Sequence, residues 1–358
     1  MGAITTLLER LHATGREPGG AVCVVRGDGT TDEAVVGDRG DGTPWTADTL
    51  VMTYSCAKPM AALAVLSAVA EGALGLDQRV AELWPAYAVH GKGATTVRHV
   101  LSHQAGLPAF PERAALVEYD DREALVELLA GAEPAHEPGT RVAEHAQTYG
   151  HLCDELLRRA TGEAVHERFA RIAGEHGWDL HLAVPEDQLH RVADVVPVDP
   201  DWPSAYLDDP RWAPAIGRPP GLLDPDVLNA ERWRRTPFAA ISLHASARGL
   251  ARFYGDLVPS DGPVARLLGA GLHADYLRPQ RTGVDGVLGR EVSWTLGFQV
   301  DELPDGRREI GMGGAGGCSA WVSLTAGGEP AYAAAYVTRG LGGHDRSDQV
   351  WQLLEQGS

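Results

Sequence analysis

The sequence predicts an α/β fold of the α+β type: one antiparallel sheet built from both chain ends, flanked by helices, with a mostly helical insertion. Three observations predict it. Near the start, residues 20–26 and 33–37 alternate or cluster β-branched side chains between Gly-Asp turns, which indicates a hairpin. Residues 97–234 carry mostly helical patterns broken by proline-rich loops. Strand patterns then return at residues 292–300, 318–324 and 331–337.

The remaining elements fit around this sheet. Residues 55–71 predict a largely buried helix, and residues 345–355 predict a closing helix. The proline-rich stretch 199–225 predicts a long ordered surface loop. Residues 1–16 predict an amphipathic first helix, whose apolar face carries Ile4, Leu7, Leu8 and Leu11.

The length of the chain suits one large domain or two interleaved ones, because 358 residues with 44% hydrophobic content can bury a large core. Since strands are predicted at both ends, we expect a sheet domain formed by residues 1–54 and 235–358. Residues 55–234 form the expected helical domain, and we place the functional site at the interface of the two.

The charge and the apolar patterning argue against two classes of partner. A formal net charge of -18 disfavours nucleic acid, because phosphate binding needs a surplus of Lys and Arg. No stretch reaches the ~18 to 20 apolar residues of a membrane-spanning helix, so no membrane partner is expected. The first residues lack the features of a signal peptide, so we expect a cytoplasmic protein. The four cysteines show no Cys-x-x-Cys spacing, which indicates free thiols and no metal site.

The basic residues are almost all arginine: the chain has 31 Lys and Arg in total, and only Lys58 and Lys92 are lysines. Such a bias is typical of a GC-rich genome, in which arginine replaces lysine wherever it can serve. A lysine can lose its proton in a desolvated site and act as a base, whereas arginine cannot. Lys58 is therefore a candidate functional residue, and Lys92, in a His-Gly-Lys-Gly loop, is predicted to be a solvated surface residue.

The pair most indicative of chemistry is Ser55 and Lys58, in the sequence Ser-Cys-Ala-Lys at the start of the predicted buried helix. A spacing of three places both side chains on one helical face, within hydrogen-bonding reach. The helix N-terminus also favours the negative charge that develops on an attacking serine oxygen. The pair predicts a serine nucleophile activated by a lysine. The alternative is a capping serine beside a surface lysine.

Five further stretches occur in the order of one known family, over nearly the whole chain: residues 52–60, 95–107, 148–162, 246–254 and 311–317. In this order they resemble the serine β-lactamase and penicillin-binding-protein superfamily. The resemblance is to its class C β-lactamase-related branch, which includes esterases, D-aminopeptidases and transacylases. It implies the β-lactamase-like fold and a three-part site. Only the first part, Ser-x-x-Lys, is unaltered here.

The second part, usually Tyr-x-Asn on the helical domain, is changed. Matching the flanking residues places Glu144-His145-Ala146 there, and an alternative register places His145-Ala146-Gln147; we prefer the first because it matches more neighbours. Opposite charges ~4 Å apart at an effective dielectric of ~20 attract by about 4 kcal/mol, which would keep Lys58 protonated. The general base would then be Glu144 or His145. In the alternative, Glu144 turns outward and water or His145 fills the gap.

The third part, Lys-Thr-Gly or His-x-Gly on a strand, is replaced by Met312-Gly313-Gly314, which the resemblance makes a substrate-binding segment. Methionine can neither transfer a proton nor hold a substrate carboxylate. The family position also implies an oxyanion hole formed by the backbone amides of Ser55 and Ala315, which needs no particular side chain.

These residues predict a serine hydrolase or acyltransferase that forms an acyl-enzyme at Ser55 and needs no cofactor. The expected substrate is a small ester or amide metabolite, with secondary metabolism as one candidate source, and the acceptor is water, an alcohol or an amine. The alternatives are a β-lactamase or D-Ala-D-Ala peptidase, and a binding protein that has lost two motifs. Trp294 either lines the substrate cleft or packs in the core.

Overall fold

The fold is seen in a computed structural model that describes residues 2–356. Met1 and residues 357–358, the outer ends of the predicted first helix and of the predicted sheet domain, lie outside the described residues. The strands are β1 (Gly19–Arg26), β2 (Thr31–Gly37), β3 (Val51–Met52), β4 (Leu180–His181), β5 (Val196–Pro197), β6 (His244–Ala245), β7 (Arg281–Val284), β8 (Glu291–Trp294), β9 (Gln299–Glu302), β10 (Arg308–Gly313), β11 (Ser319–Leu324), β12 (Pro330–Thr338) and β13 (Gly340–Leu341).

The helices complete the element order. They are α1 (Ala3–Ala13), α2 (Lys58–Ala70), α3 (Val80–Leu83), α4 (Val97–Leu101), α5 (Arg122–Gly131), α6 (Thr148–Thr161), α7 (Val165–His176), α8 (Ser204–Leu207), α9 (Trp212–Ile216), α10 (Pro225–Leu228), α11 (Glu231–Arg234), α12 (Ala247–Leu257), α13 (Pro263–Leu268), α14 (Ala270–Leu277) and α15 (Asp345–Gln356). A short 3-10 turn, Ser55–Ala57, precedes α2.

The main sheet joins the two chain ends, as predicted. Its eight strands run β2-β1-β12-β11-β10-β9-β8-β7, so the N-terminal hairpin pairs with the late strands through β1 and β12. The partners are antiparallel, and Cys23 stands opposite Ala335 in this junction. The antiparallel sheet with flanking helices is confirmed.

Alternation along the strands buries both faces of this sheet, because successive side chains point to opposite sides. On one face Val22 and Val24 pack with α1 and α15 through Leu8 and Val350. On the other face Cys23 joins the large core that includes α12. The sheet is thus covered by helices on both sides.

Helix α2 runs through the centre of the molecule. Every residue from position 58 to position 68 is buried, which explains why its sequence is apolar on all sides. It packs against α6, α7 and α13. The predicted helix 55–71 is confirmed in position, except that its first turn, which carries Ser55, is a 3-10 turn.

Two sequence predictions about backbone structure are wrong. Residues 292–300 were expected to form one strand but form β8 and β9, which reverse at Gly297 (φ +122°) as Thr295 N donates to the carbonyl oxygen of Phe298 at 3.0 Å. Only glycine adopts such a φ at little cost, so this residue ends the strand. The stretch 199–225 was expected to be a loop, but it contains α8 and α9.

Lys92 is also placed differently from the prediction. It is buried rather than solvated, its Nζ donates to the carbonyl oxygen of Ala132, and it lies 5.1 Å from the ring centroid of Tyr87. Burial lowers the pKa of its ammonium. Within residues 2–356 no helix is long and apolar enough to cross a membrane.

Candidate active site

Ser55 is presented by a strained turn. Tyr54, the residue before it, has φ 49° and ψ -125°, a conformation that a non-glycine residue holds only when its surroundings fix it. The Tyr54 hydroxyl donates to the carbonyl oxygen of Leu222 at 3.2 Å, and its ring meets the edge of Trp202 at 6.1 Å. These contacts fix the turn, so the Ser55 side chain faces a cavity while only 9% of the residue is exposed.

The Ser-x-x-Lys spacing brings the two side chains together. Lys58 Nζ donates to Ser55 Oγ at 2.5 Å, and it lies 3.0 Å from Glu144 Oε1. Lys58 is fully buried and Glu144 is 3% exposed. The three side chains form a continuous chain of polar contacts from the carboxylate to the serine oxygen.

The pKa of Lys58 runs against the expectation from the sequence. Burial lowers the pKa of its ammonium, and the Glu144 carboxylate only partly opposes this effect. The expectation that Glu144 alone keeps Lys58 protonated left out the cost of taking the ammonium out of water. A neutral Lys58 amine is therefore more accessible than the charge pair alone suggests.

Glu144 is held by a buried carboxylate behind the site. Its backbone N–H donates to Asp285 Oδ1 at 3.1 Å, and the same oxygen accepts from the N–H groups of Val287 and Leu288 at 2.8 and 2.9 Å. Asp285 Oδ2 accepts from Trp294 Nε1 at 2.9 Å. Asp285, which was not identified from the sequence, thus links Glu144, in the second part of the site, to the turn between β7 and β8.

Trp294 does not line the cavity and so is not a substrate contact. It is fully buried, packs with Val142 and Met312, and its ring lies 4.0 Å from that of His103. Trp294 therefore packs in the core and does not line the substrate cleft. The reason is the hydrogen bond to Asp285, which holds the indole behind the site.

His145 points away from the serine. Its Nε2 accepts from the backbone N–H of Leu107 at 3.2 Å, while its own backbone N–H donates to His103 Nδ1 at 3.0 Å. Burial lowers the pKa of the His145 imidazole to about 3. Glu144 and Ala146 line the cavity, and His145 is not among its lining residues.

The third part of the site, Met312-Gly313-Gly314, lies at the end of β10 and packs against the turn that carries Ser55. The Cys56 thiol donates to the carbonyl oxygen of Met312 at 3.3 Å. A Cβ on Gly314 would lie 2.0 Å from the carbonyl oxygen of Thr53, so this close approach requires glycine. Met312, Gly313 and Ala315 line the cavity, whereas Gly314 forms the contact beneath it.

The cavity has a volume of about 540 Å³, and we name two parts of it by the residues that line them. The inner part surrounds Ser55. Tyr206 and Trp212, whose ring centroids are 5.4 Å apart, form an aromatic wall there. The outer part extends along β10 towards α15. Its lining residues are Arg290, Gln299, Asp301, Glu309, Gly311, Ser319, Trp321, His344, Asp348 and Trp351. Apart from Gly311, which lies in the stretch 311–317, these residues and the aromatic wall belong to no motif and were not identified from the sequence.

No group of three or more His, Cys, Asp or Glu side chains within residues 2–356 is arranged to hold a metal ion.

Comparison with known proteins gives one consistent family. The beta-lactamase family model matches residues 4–357. The esterase/beta-lactamase LipL of Mycobacterium tuberculosis (strain ATCC 25618 / H37Rv) is 35% identical over 164 residues, 44% of this chain and 37% of LipL. That alignment spans little more than a third of the relative.

Several solved structures match over almost the full chain, among them the following two. A family VIII carboxylesterase is 27% identical, with a TM-score of 0.81 and coverage of 98% of this chain and 96% of the other. A penicillin-binding protein homologue from Caulobacter crescentus is 30% identical, with a TM-score of 0.78 and coverage of 95% and 91%. The β-lactamase-like fold predicted from the sequence is confirmed.

Proposed function

We propose that this chain, which belongs to the beta-lactamase family of serine hydrolases, is an esterase or acyltransferase. In this proposal the acyl-enzyme forms at Ser55. The observation that carries the proposal is the 2.5 Å hydrogen bond from Lys58 Nζ to Ser55 Oγ at the wall of a cavity. A nucleophile within hydrogen-bonding reach of a buried base is the arrangement that covalent acyl transfer requires.

In the acylation step, Ser55 Oγ attacks the carbonyl carbon of an ester or amide while its proton moves to Lys58 Nζ. Lys58 in turn passes a proton to the carboxylate of Glu144, 3.0 Å away, so no additional charge accumulates on the buried amine. The tetrahedral intermediate then collapses. The bond to the alcohol or amine breaks, and this leaving group takes the proton back from Glu144, which lines the cavity.

The negative carbonyl oxygen of the intermediate is stabilised by backbone amides of Ser55 and Ala315. Both residues line the inner part of the cavity, and Gly314, next to Ala315, packs closely against Thr53 in the segment that leads to Ser55. Water, an alcohol or an amine then attacks the acyl-enzyme by the reverse proton route. Whether the product is an acid, a new ester or an amide depends on which acceptor occupies the cavity.

The acyl group of the substrate packs against apolar side chains. Met312 stands where relatives carry a lysine or histidine, and it cannot bind the carboxylate of a penicillin. The inner part is lined instead by apolar and aromatic groups, among them Tyr206, Trp212, Ile216 and Leu288. Hydrophobic burial favours a neutral acyl chain there.

The proposal is tested by comparing an ester with a β-lactam. We expect kcat/KM for a short p-nitrophenyl ester to exceed that for a chromogenic cephalosporin by at least about a hundredfold, because the cephalosporin carboxylate has no cation at position 312. Steady-state kinetics on the purified protein measure both. Comparable efficiency on the two substrates would refute the substrate preference, and no ester turnover above buffer would refute the esterase.

Glu144 should matter for chemistry and stability, and His145 should not share its role. Glu144→Gln removes the group that receives the proton and leaves Lys58 without a counter-charge. We expect kcat/KM for the ester to fall about a hundredfold and the free energy of unfolding at neutral pH to fall by about 3 kcal/mol.

The pH dependence of that instability has a definite sign. Burial lowers the pKa of Lys58 in the folded protein, and without Glu144 it falls further. The penalty is therefore complete below the folded pKa of Lys58 in the variant, and it disappears as the pH rises through the folded pKa of Lys58 in the wild type, where the amine is neutral in both proteins. Urea unfolding across pH measures this penalty.

The His145→Ala variant, by contrast, should keep kcat/KM for the ester within about tenfold of the wild type, because His145 does not line the cavity. Equal losses in both variants would contradict the assignment of the proton to Glu144.

A further inference from the structure

Glu309 is a buried carboxylate in the outer part of the cavity, away from the nucleophile. It is 9% exposed and lines the cavity from β10. Both of its oxygens accept from the indole N–H of Trp351 on α15, at 2.9 and 2.8 Å. Within residues 2–356 it has no cation within ion-pairing distance. A buried carboxylate is costly unless a cation compensates it.

The side chains around Glu309 leave the outer part negative. Asp301 on β9 and Asp348 on α15 also line it, which makes three carboxylates against the single guanidinium of Arg290. Arg290 is engaged with Gln299, to which it donates at 2.6 Å. His344 lines the same region, and burial lowers the pKa of its imidazole, which disfavours a second positive charge. An anionic group entering here would be repelled.

Two tryptophans form walls of this negative region. Trp321 on β11 and Trp351 both line it, and Trp351 is only partly buried. The face of an indole attracts a cation by ~0.5 to 2 kcal/mol, depending on how far the cation is desolvated. Carboxylates beside indole rings provide the chemistry that recognises an ammonium group.

The outer part is continuous with the nucleophile. Glu309 lies four residues before Gly313 on β10, roughly 13 Å at the rise of an extended strand. On the same face, Gly311 and Gly313 line the cavity, but a Cβ there would lie 2.7 Å from Trp321 Cβ or 3.0 Å from His344 Cε1, so these two side chains cover the strand. A substrate chain would therefore reach Glu309 beside Trp321 and His344, which line the same cavity as Ser55.

We propose that the outer part of the cavity binds a cationic group, an ammonium, at the end of the substrate remote from the reacting carbonyl. The assignment rests on the proposed function, because it uses the cavity of Ser55, and it names the substrate class of that site. The cation supplies the charge that Glu309 lacks, its alkyl groups face Trp321 and Trp351, and Asp301 and Asp348 attract it from the rim.

The pH dependence follows from the same groups. Burial raises the pKa of Glu309 to about 7; the hydrogen bond from Trp351 and the charge of Arg307 oppose this rise, whereas Glu355 and Asp301 add to it. Trp351, Asp348 and His344 face the same region from the side of α15. The preference for a cation should therefore be full well above pH 7 and decline as the pH falls through about 7, where Glu309 becomes protonated.

The test is a binding measurement that needs no chemistry. The probes are the methyl ester of a trimethylammonio-octanoic acid and the neutral ester in which carbon replaces the ammonium nitrogen. With Ser55→Ala, calorimetry should give a Kd at least about tenfold lower for the cationic ester. A second pair carries the ammonium on the alcohol side, and a preference in either pair identifies which half of the substrate lies along β10.

Matched variants separate the site from general charge. Glu309→Gln keeps the volume and still accepts from Trp351, and it should remove most of the cation preference. Glu302→Gln, an exposed residue of β9 outside the cavity, should leave the preference unchanged. Equal affinity for both members of both pairs, or a preference that survives Glu309→Gln, would overturn the proposal. Ester turnover by the wild type is measured separately, so loss of the proposed activity and loss of cation binding are distinguishable.

Discussion

Replacing Ser55 with alanine is expected to lower kcat/KM for a short neutral ester by at least about ten-thousandfold, because the variant lacks the hydroxyl group that Lys58 activates. The change should leave the fold intact. Ser55 Oγ accepts a hydrogen bond from Lys58, and in its absence Lys58 still pairs with Glu144 at 3.0 Å. Steady-state kinetics and thermal unfolding measure the two effects.

The control for that variant is Ser260→Ala. Ser260 is exposed and does not line the cavity, so the ester should be turned over at the wild-type rate. If Ser55→Ala retained a tenth of the wild-type kcat/KM or more while folding normally, the acyl-enzyme route through this serine would be wrong.

Lys58→Arg is expected to lower kcat/KM by about a thousandfold, because arginine keeps its proton and its planar guanidinium does not fit the place of an ammonium. The site leaves little room for adjustment, since Lys58 is fully buried between Ser55 and Glu144. Kinetics on the folded variant, with unfolding monitored in parallel, measure the effect.

The other lysine provides a matched control for this change. Lys92 is equally buried but contacts the carbonyl oxygen of Ala132 and the ring of Tyr87, outside the cavity. Lys92→Arg can change stability, yet the folded protein should keep its kcat/KM. Near wild-type turnover by Lys58→Arg would mean that only a positive charge is needed there, and Glu144 would then be the direct base.

The parts of the site that local geometry controls could be predicted from the sequence. Three positions along a helix place two side chains on one face, and Ser55 and Lys58 are in contact for that reason. The alternation of apolar residues likewise predicted β1, β11 and β12. Glu144 could be proposed only through flanking residues, since its distance from Lys58 depends on Asp285, far along the chain.

The parts that depend on long-range packing could not be predicted. Strand β10 reads Arg-Glu-Ile-Gly-Met-Gly, and its two glycines hide the strand pattern. Glu309 was therefore not identified, because its burial depends on Trp351 from the last helix. The pKa of Lys58 was misjudged for a different reason: the charge pair with Glu144 was weighed without the cost of burying the ammonium, although the helix was predicted to be largely buried.

Locating the site of covalent labelling tests most directly whether the acyl-enzyme forms at Ser55. The purified protein is incubated with an activated ester or a fluorophosphonate, and the adduct is located by intact-protein and peptide mass spectrometry. We expect one adduct, on the peptide that contains Ser55, and none in Ser55→Ala. Ser319 also lines the cavity, so it is the informative competitor. An adduct on Ser319, or labelling that persists in Ser55→Ala, would contradict an acyl-enzyme at Ser55.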